Sequence, residues 1–164
     1  MDTSDRRLLE RISERLAEEG LSISVAESCT GGMLGMLLTS VPGSSRWFLG
    51  GVVAYSNGLK ESLLGVPLGL IQDNGAVSRG VADEMARGAV RLTGSDISLA
   101  VTGIAGPEGG TADKPVGTVW MALRTASGTA TWKEVFTGDR DGVRRQASRY
   151  ILERLRQYLE GERS

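Results

Sequence analysis

Apolar residues recur at helical spacing near both ends and in the middle of the chain, and short, almost unbroken apolar runs lie between them. Leu8, Leu9, Ile12 and Leu16 predict an amphipathic outer helix, with Ser4 or Asp5 as its cap and Gly20 as its stop. A short strand, Ser22 to Ala26, follows, then "ESCTGG", a helix over Gly31 to Ser40, and the break "VPGSS". Residues 47 to 55, "WFLGGVVAY", read as a strand that "SNG" ends before a short helical piece with Lys60, Leu63 and Leu64. Ser78 caps a further helix with Val81, Met85, Ala89 and Val90 on one face and Gly94 as its stop. "ISLAVT", residues 97 to 102, has the continuous apolar character of a buried strand. Val116 to Arg124 and Thr129 to Thr137, joined by "TASG", predict a hairpin. The last helix spans about Asp141 to Glu160 and buries Val143, Ala147, Ile151, Leu155 and Tyr158. Helices alternating with buried strands, plus one hairpin, predict a single α/β domain over residues 1–164, a three-layer α/β/α sandwich with a mixed sheet.

Composition narrows the chemistry. The 164 residues contain one cysteine and no histidine, so histidine-based triads and HExxH zinc sites are excluded, as is an intrachain disulfide. Nineteen basic and twenty acidic residues nearly cancel, and aromatics are few, which argues against nucleic acid as a partner. No apolar stretch approaches the roughly 18 residues of a membrane span, and the charged N-terminus has no secretory apolar region, so the expected location is the cytoplasm.

Three places can carry chemistry. In open α/β sheets ligands bind beyond the carboxyl ends of strands, and Ser28 stands at such an end, followed by Thr30, Gly31 and Gly32, whose N–H groups suit an oxyanion. The same stretch also fits a tight turn with a capping serine. Cys29 is the rival nucleophile, or a small buried apolar residue. A serine needs a base, and the chain offers three lysines. Lys133 lies in an alternating strand and Lys114 in a loop, whereas Lys60 follows a strand end near Ser28, with Tyr55 five residues earlier as a partner in proton handling. The loop "GIAGPEGGTADKP" is neither a P-loop nor a dinucleotide fingerprint. Arg140, Arg144 and Arg145 cluster at the start of the last helix, against its dipole, where a bound phosphate monoester would relieve the conflict; ordinary surface arginines are the alternative.

Taken together, "SVAESCTGG", "VPGSS", "GGVVAYSN", "LLGV", "GAVS", "AVTGIAGPEGGT", "KPVGTVW" and "DGVRRQA" resemble the CinA C-terminal-domain family. The resemblance implies a homodimeric three-layer domain that hydrolyses the carboxamide of nicotinamide mononucleotide, a small-molecule nucleotide substrate, with a Ser/Lys pair and neither metal nor cofactor. It places the nucleophile on Ser28, the base on Lys60 with Tyr55 assisting, a substrate contact on Thr102 and a phosphate contact on an arginine of "DGVRRQA", chiefly Arg144. "YSNGLK" departs from the family's YSNEAK, and "NGAVS" has Asn74 where a histidine is usual. The larger N-terminal domain of full-length relatives is absent, which suggests a stand-alone form. A catalytically silent nucleotide-binding or regulatory module on the same domain is the alternative function.

Overall fold

The alternation of side-chain size along the central strands sets the layers of the molecule. The computed structural model describes residues 3–162. Its sheet has the order β2-β1-β3-β4-β5, formed by Ile23–Glu27 (β1), Phe48–Val53 (β2), Ile97–Gly103 (β3), Thr118–Thr125 (β4) and Gly128–Val135 (β5). The first three strands are parallel, and β4 and β5 continue the sheet antiparallel, so it is mixed. The helices are Thr3–Glu19 (α1), Met33–Thr39 (α2), Asn57–Ser62 (α3), Leu68–Asn74 (α4), Arg79–Thr93 (α5) and Arg140–Leu159 (α6).

The two faces are packed differently. Val25, Leu99, Val101, Val119, Met121 and Leu123 project toward α1, α2 and α6, where they meet Leu9, Ile12, Leu34, Ile151 and Leu155. The alternate positions Ala26, Ala100 and Ala122 project toward α5, which answers with Ala82, Ala86 and Ala89. Small residues on both sides let α5 approach closely enough for Ser98 Oγ to donate to the Ala86 carbonyl at 2.7 Å. The apolar runs of the strands are therefore a large/small alternation, with one bulky face and one thin one.

Four details differ from the sequence reading. Tyr158 is 43% exposed, because helical spacing from Ile151 and Leu155 continues to Leu159, which takes the buried place. Ser4 and Asp5 lie inside the first turn of α1, which begins at Thr3, and both accept from Arg149 of α6. Helix α4 lies outside the predicted elements, since the sequence marks it only by Pro67 before it and Gly75 after it, flanking a short run interrupted by Gly69. The hairpin strands turn at Ala126 and Ser127, closing more tightly than the "TASG" spacing suggests.

Candidate active site

The strand order 2-1-3 makes the carboxyl end of β1 the point where the chain departs to opposite sides, and a crevice opens there. The β1–β3 pairing continues one residue past the strand, with Ser28 N–H donating to the Val101 carbonyl at 2.9 Å. The chain then reverses through Gly31 and Gly32, at φ of 59° and 96°, a left-handed conformation that glycine adopts without a Cβ penalty. This reversal starts α2 and leaves Ser28 at the tip of β1.

Lys60 arrives from the other crossover. Ser56 caps α3 by accepting the Leu59 N–H. The segment after α3 is clamped by α5: Arg91 donates to the Leu64 carbonyl at 2.8 Å, and a Cβ on Gly88 would overlap that carbonyl. The clamp directs Lys60 inward, where it is 2% exposed. Its Nζ lies 2.9 Å from Ser28 Oγ and 2.9 Å from the Ala54 carbonyl oxygen. No ion pair to Lys60 is found among the described residues. Burial, which disfavours the cation, holds its pKa below the ordinary lysine value.

A cavity of about 280 Å³ lies over this pair, and Tyr55, Thr102, Glu108 and Arg140 also line it. Thr102 Oγ1 donates to the Ala76 carbonyl at 2.9 Å and so keeps only acceptor capacity for a ligand. Arg140 donates to the Gly106 carbonyl at 2.9 Å and to the Tyr55 hydroxyl at 2.6 Å. The Tyr55 hydroxyl is thereby engaged with Arg140, while the Lys60 hydrogen bonds go to Ser28 and Ala54. A larger groove of about 710 Å³ between α1, α2 and α6 contains none of these residues. Its apolar floor and arginine rim offer no nucleophile paired with a base, so the smaller cavity is the one that can do chemistry.

The remaining candidates separate. Gly31 N–H donates to the Ser28 carbonyl at 3.0 Å and Gly32 N–H to Glu27 Oε2 at 3.0 Å, so neither is a free donor. Within the turn, no other residue among those described accepts from the backbone N–H of Cys29 or Thr30, although the Cys29 N–H also faces its own sulfur. Arg144 donates to the Thr30 carbonyl at 3.0 Å and pairs with Asp141, behind the turn and outside the cavity. Arg145 pairs with Asp141 at 2.9 Å on the exposed side of α6. Cys29 is buried, and burial pushes its thiol up to about 12, with the Glu27 carboxylate acting in the same direction. Lys114 donates to the Asn74 carbonyl, and Lys133 is exposed on β5.

Glu27 escaped the sequence reading altogether. It is 1% exposed, and its carboxylate accepts from the N–H groups of Gly32, Leu34 and Gly35 at 3.0, 3.1 and 2.9 Å. The one available signal is a carboxylate closing an apolar strand just before a glycine turn.

Known proteins resemble this chain over most of its length. The model of the CinA C-terminal domain matches residues 5–159. The nicotinamide-nucleotide amidohydrolase PncC of Shigella flexneri is 45% identical over 161 residues, covering 97% of this chain and 98% of that protein. A CinA-like protein of Geotalea uraniireducens is 50% identical over 153 residues; the match covers 93% of this chain and 36% of that longer protein. The solved structure of the competence/damage inducible protein CihA from Agrobacterium tumefaciens superposes with a TM-score of 0.93 at 38% identity, over 98% of each chain.

Proposed function

The chain belongs to the CinA C-terminal domain family, and we propose that it is an amidohydrolase converting nicotinamide mononucleotide to nicotinate mononucleotide and ammonia. The observation that carries this reading is the buried lysine amine with no carboxylate partner, in hydrogen-bond contact with a serine hydroxyl at the mouth of a cavity. It supports a mechanism in which neutral Lys60 removes the Ser28 proton as Oγ attacks the carboxamide carbon. The oxyanion of the tetrahedral intermediate is held by the N–H groups of Cys29 and Thr30, which no other described residue occupies. As the C–N bond breaks, the Lys60 ammonium returns its proton to the leaving nitrogen and ammonia departs. Lys60 then takes a proton from water, whose hydroxide attacks the acyl ester; as the ester C–O bond breaks, the Lys60 ammonium returns that proton to Ser28 Oγ, and the freed acid loses its own proton to solvent.

The other lining residues serve recognition. Thr102 Oγ1 accepts an N–H of the carboxamide, a donor that the acid product lacks. Arg140, presented at the cavity rim by Gly106 and Tyr55, holds the phosphate. Two copies pair through the exposed apolar side chains of edge strand β2, Leu49 and Val53. Ammonia release from nicotinamide mononucleotide in the presence of a chelator tests the activity: turnover is expected, and tight binding without turnover would favour a silent nucleotide-binding module.

A further inference from the structure

Glu27 and Ser28 are neighbours in sequence and stand on opposite faces of the sheet. Val25 faces the bulky layer and Ala26 the thin one, so the alternation sends the Glu27 side chain toward α2 and that of Ser28 toward Lys60. Glu27 therefore does not line the cavity. A carboxylate so thoroughly buried is costly unless its oxygens are satisfied, and here both are. The glycine at the N-cap of α2 offers no side chain for capping, so the amides of the first turn are taken by a residue from the preceding strand. A negative charge there also complements the helix dipole.

The three bonds fix more than the helix. Both ends of the segment 28–32 are held: Ser28 by the Val101 carbonyl at the strand tip, and Gly32 by Glu27. Gly31 is committed to the Ser28 carbonyl inside the same reversal. What this leaves without an acceptor in any other described residue is the pair of amides directly after the nucleophile, Cys29 and Thr30.

We propose that Glu27 is the positioning residue of this site: by drawing the amides of Gly32, Leu34 and Gly35 onto its carboxylate, it locks the turn that holds Ser28 Oγ against Lys60 and keeps the next two N–H groups free for the oxyanion. The role rests on the Ser/Lys reading above. The Glu27 charge also favours the protonated Cys29 thiol, which leaves the hydroxyl as the nucleophile of the turn.

Glu27→Gln keeps the shape and turns one acceptor into a donor facing an N–H group; Glu27→Asp keeps the charge and shortens the reach. Each is compared with wild type by kcat, KM, thermal unfolding and the fraction of folded protein, with Ser28→Ala alongside. The expected result is a kcat per folded molecule lowered roughly 30- to 100-fold in Glu27→Gln, with KM within about threefold, because turn misalignment affects the transition state and leaves the cavity walls in place. Glu27→Asp should lie between. The pH of half-maximal activity should not move, since burial sets the Lys60 shift. A folded Glu27→Gln enzyme with wild-type kcat, or a loss of activity that only follows the loss of folded protein, would overturn the proposal. If Glu27→Gln does not fold, Glu27→Asp decides by the same criterion. An active Ser28→Ala enzyme would instead sink the Ser/Lys reading, independently of Glu27.

Discussion

Lys60 Nζ stands 2.9 Å from Ser28 Oγ, with the Ala54 carbonyl as its second hydrogen-bond partner. A buried amine in that setting binds its proton weakly, and the consequence can be read in both activity and stability. The neutral form increases as pH rises through the lowered pKa, so kcat/KM should climb to a plateau whose midpoint lies below the ordinary lysine value of 10.5. Lys60→Arg should be inactive across the range, because a guanidinium stays protonated. An active arginine variant would remove Lys60 from the base role.

Folding should carry the same signature. Between the lowered native pKa of Lys60 and 10.5 the unfolded chain binds more protons than the folded one, so stability from this group rises with pH across that window. Below it, the full cost of the buried cation is present. Lys60→Met lacks that cost, so its stability relative to wild type should be most favourable below that window and decline as pH approaches 10.5. Urea titrations at several pH values measure this, and a pH-independent difference would contradict it.

Ser28→Ala should abolish ammonia release while leaving substrate binding and the melting temperature nearly unchanged, since it removes a hydroxyl and no core volume. Cys29→Ala should keep most activity, because its thiol, pushed up to about 12 chiefly by burial, is protonated at working pH. Activity assays with mass-spectrometric detection of the acyl-enzyme distinguish the two residues. An acyl group on Cys29 would reverse the assignment.

The arginines should separate by substrate. Loss of a charge-assisted phosphate contact of about 1.5–3 kcal/mol lowers kcat/KM roughly 10- to 150-fold, which is the expectation for Arg140→Ala with the mononucleotide. The same variant should change turnover of nicotinamide riboside little, since that substrate has no phosphate. Arg144, bonded to the Thr30 carbonyl behind the turn, should affect both substrates alike when replaced by alanine. The reverse pattern would move the phosphate site to Arg144.

Gly88→Ala should destabilise the protein by about 1–3 kcal/mol, because the new methyl overlaps the Leu64 carbonyl. The shift propagates along the segment that carries Lys60, so kcat should fall as well. Leu49→Arg with Val53→Arg should leave a monomer by light scattering, the added charges blocking the β2 edge.

Much of this architecture is legible in the sequence, for identifiable reasons. A strand ending in "ESCTGG" with a helix behind it nominates Ser28, and the scarcity of lysine nominates Lys60. Arg140 and Arg144 cannot be told apart that way, since four residues along a helix put both on one face. What separates them is that Arg140 opens α6 beside the loop at Gly106, while Arg144, one turn on, lies behind Thr30. Glu27 is invisible for another reason: its partners are backbone N–H groups, which a sequence displays identically at every residue. Tyr158 and Leu159 are adjacent apolar residues three and four places beyond Leu155, and only the i+4 position, continuing the Ile151 and Leu155 row, faces the core.

The alternation that parts Glu27 from Ser28 makes the site unusually sensitive to insertion or deletion. Adding or removing one residue within β1 would exchange the two faces, bringing the carboxylate against Lys60 and turning the hydroxyl toward α2. The amine would then acquire a counterion, hold its proton and cease to be a base, while the amides of α2 would lose their acceptor. A change of reading along a single strand would thus convert a reactive pair into an ion pair without altering the identity of any residue in it.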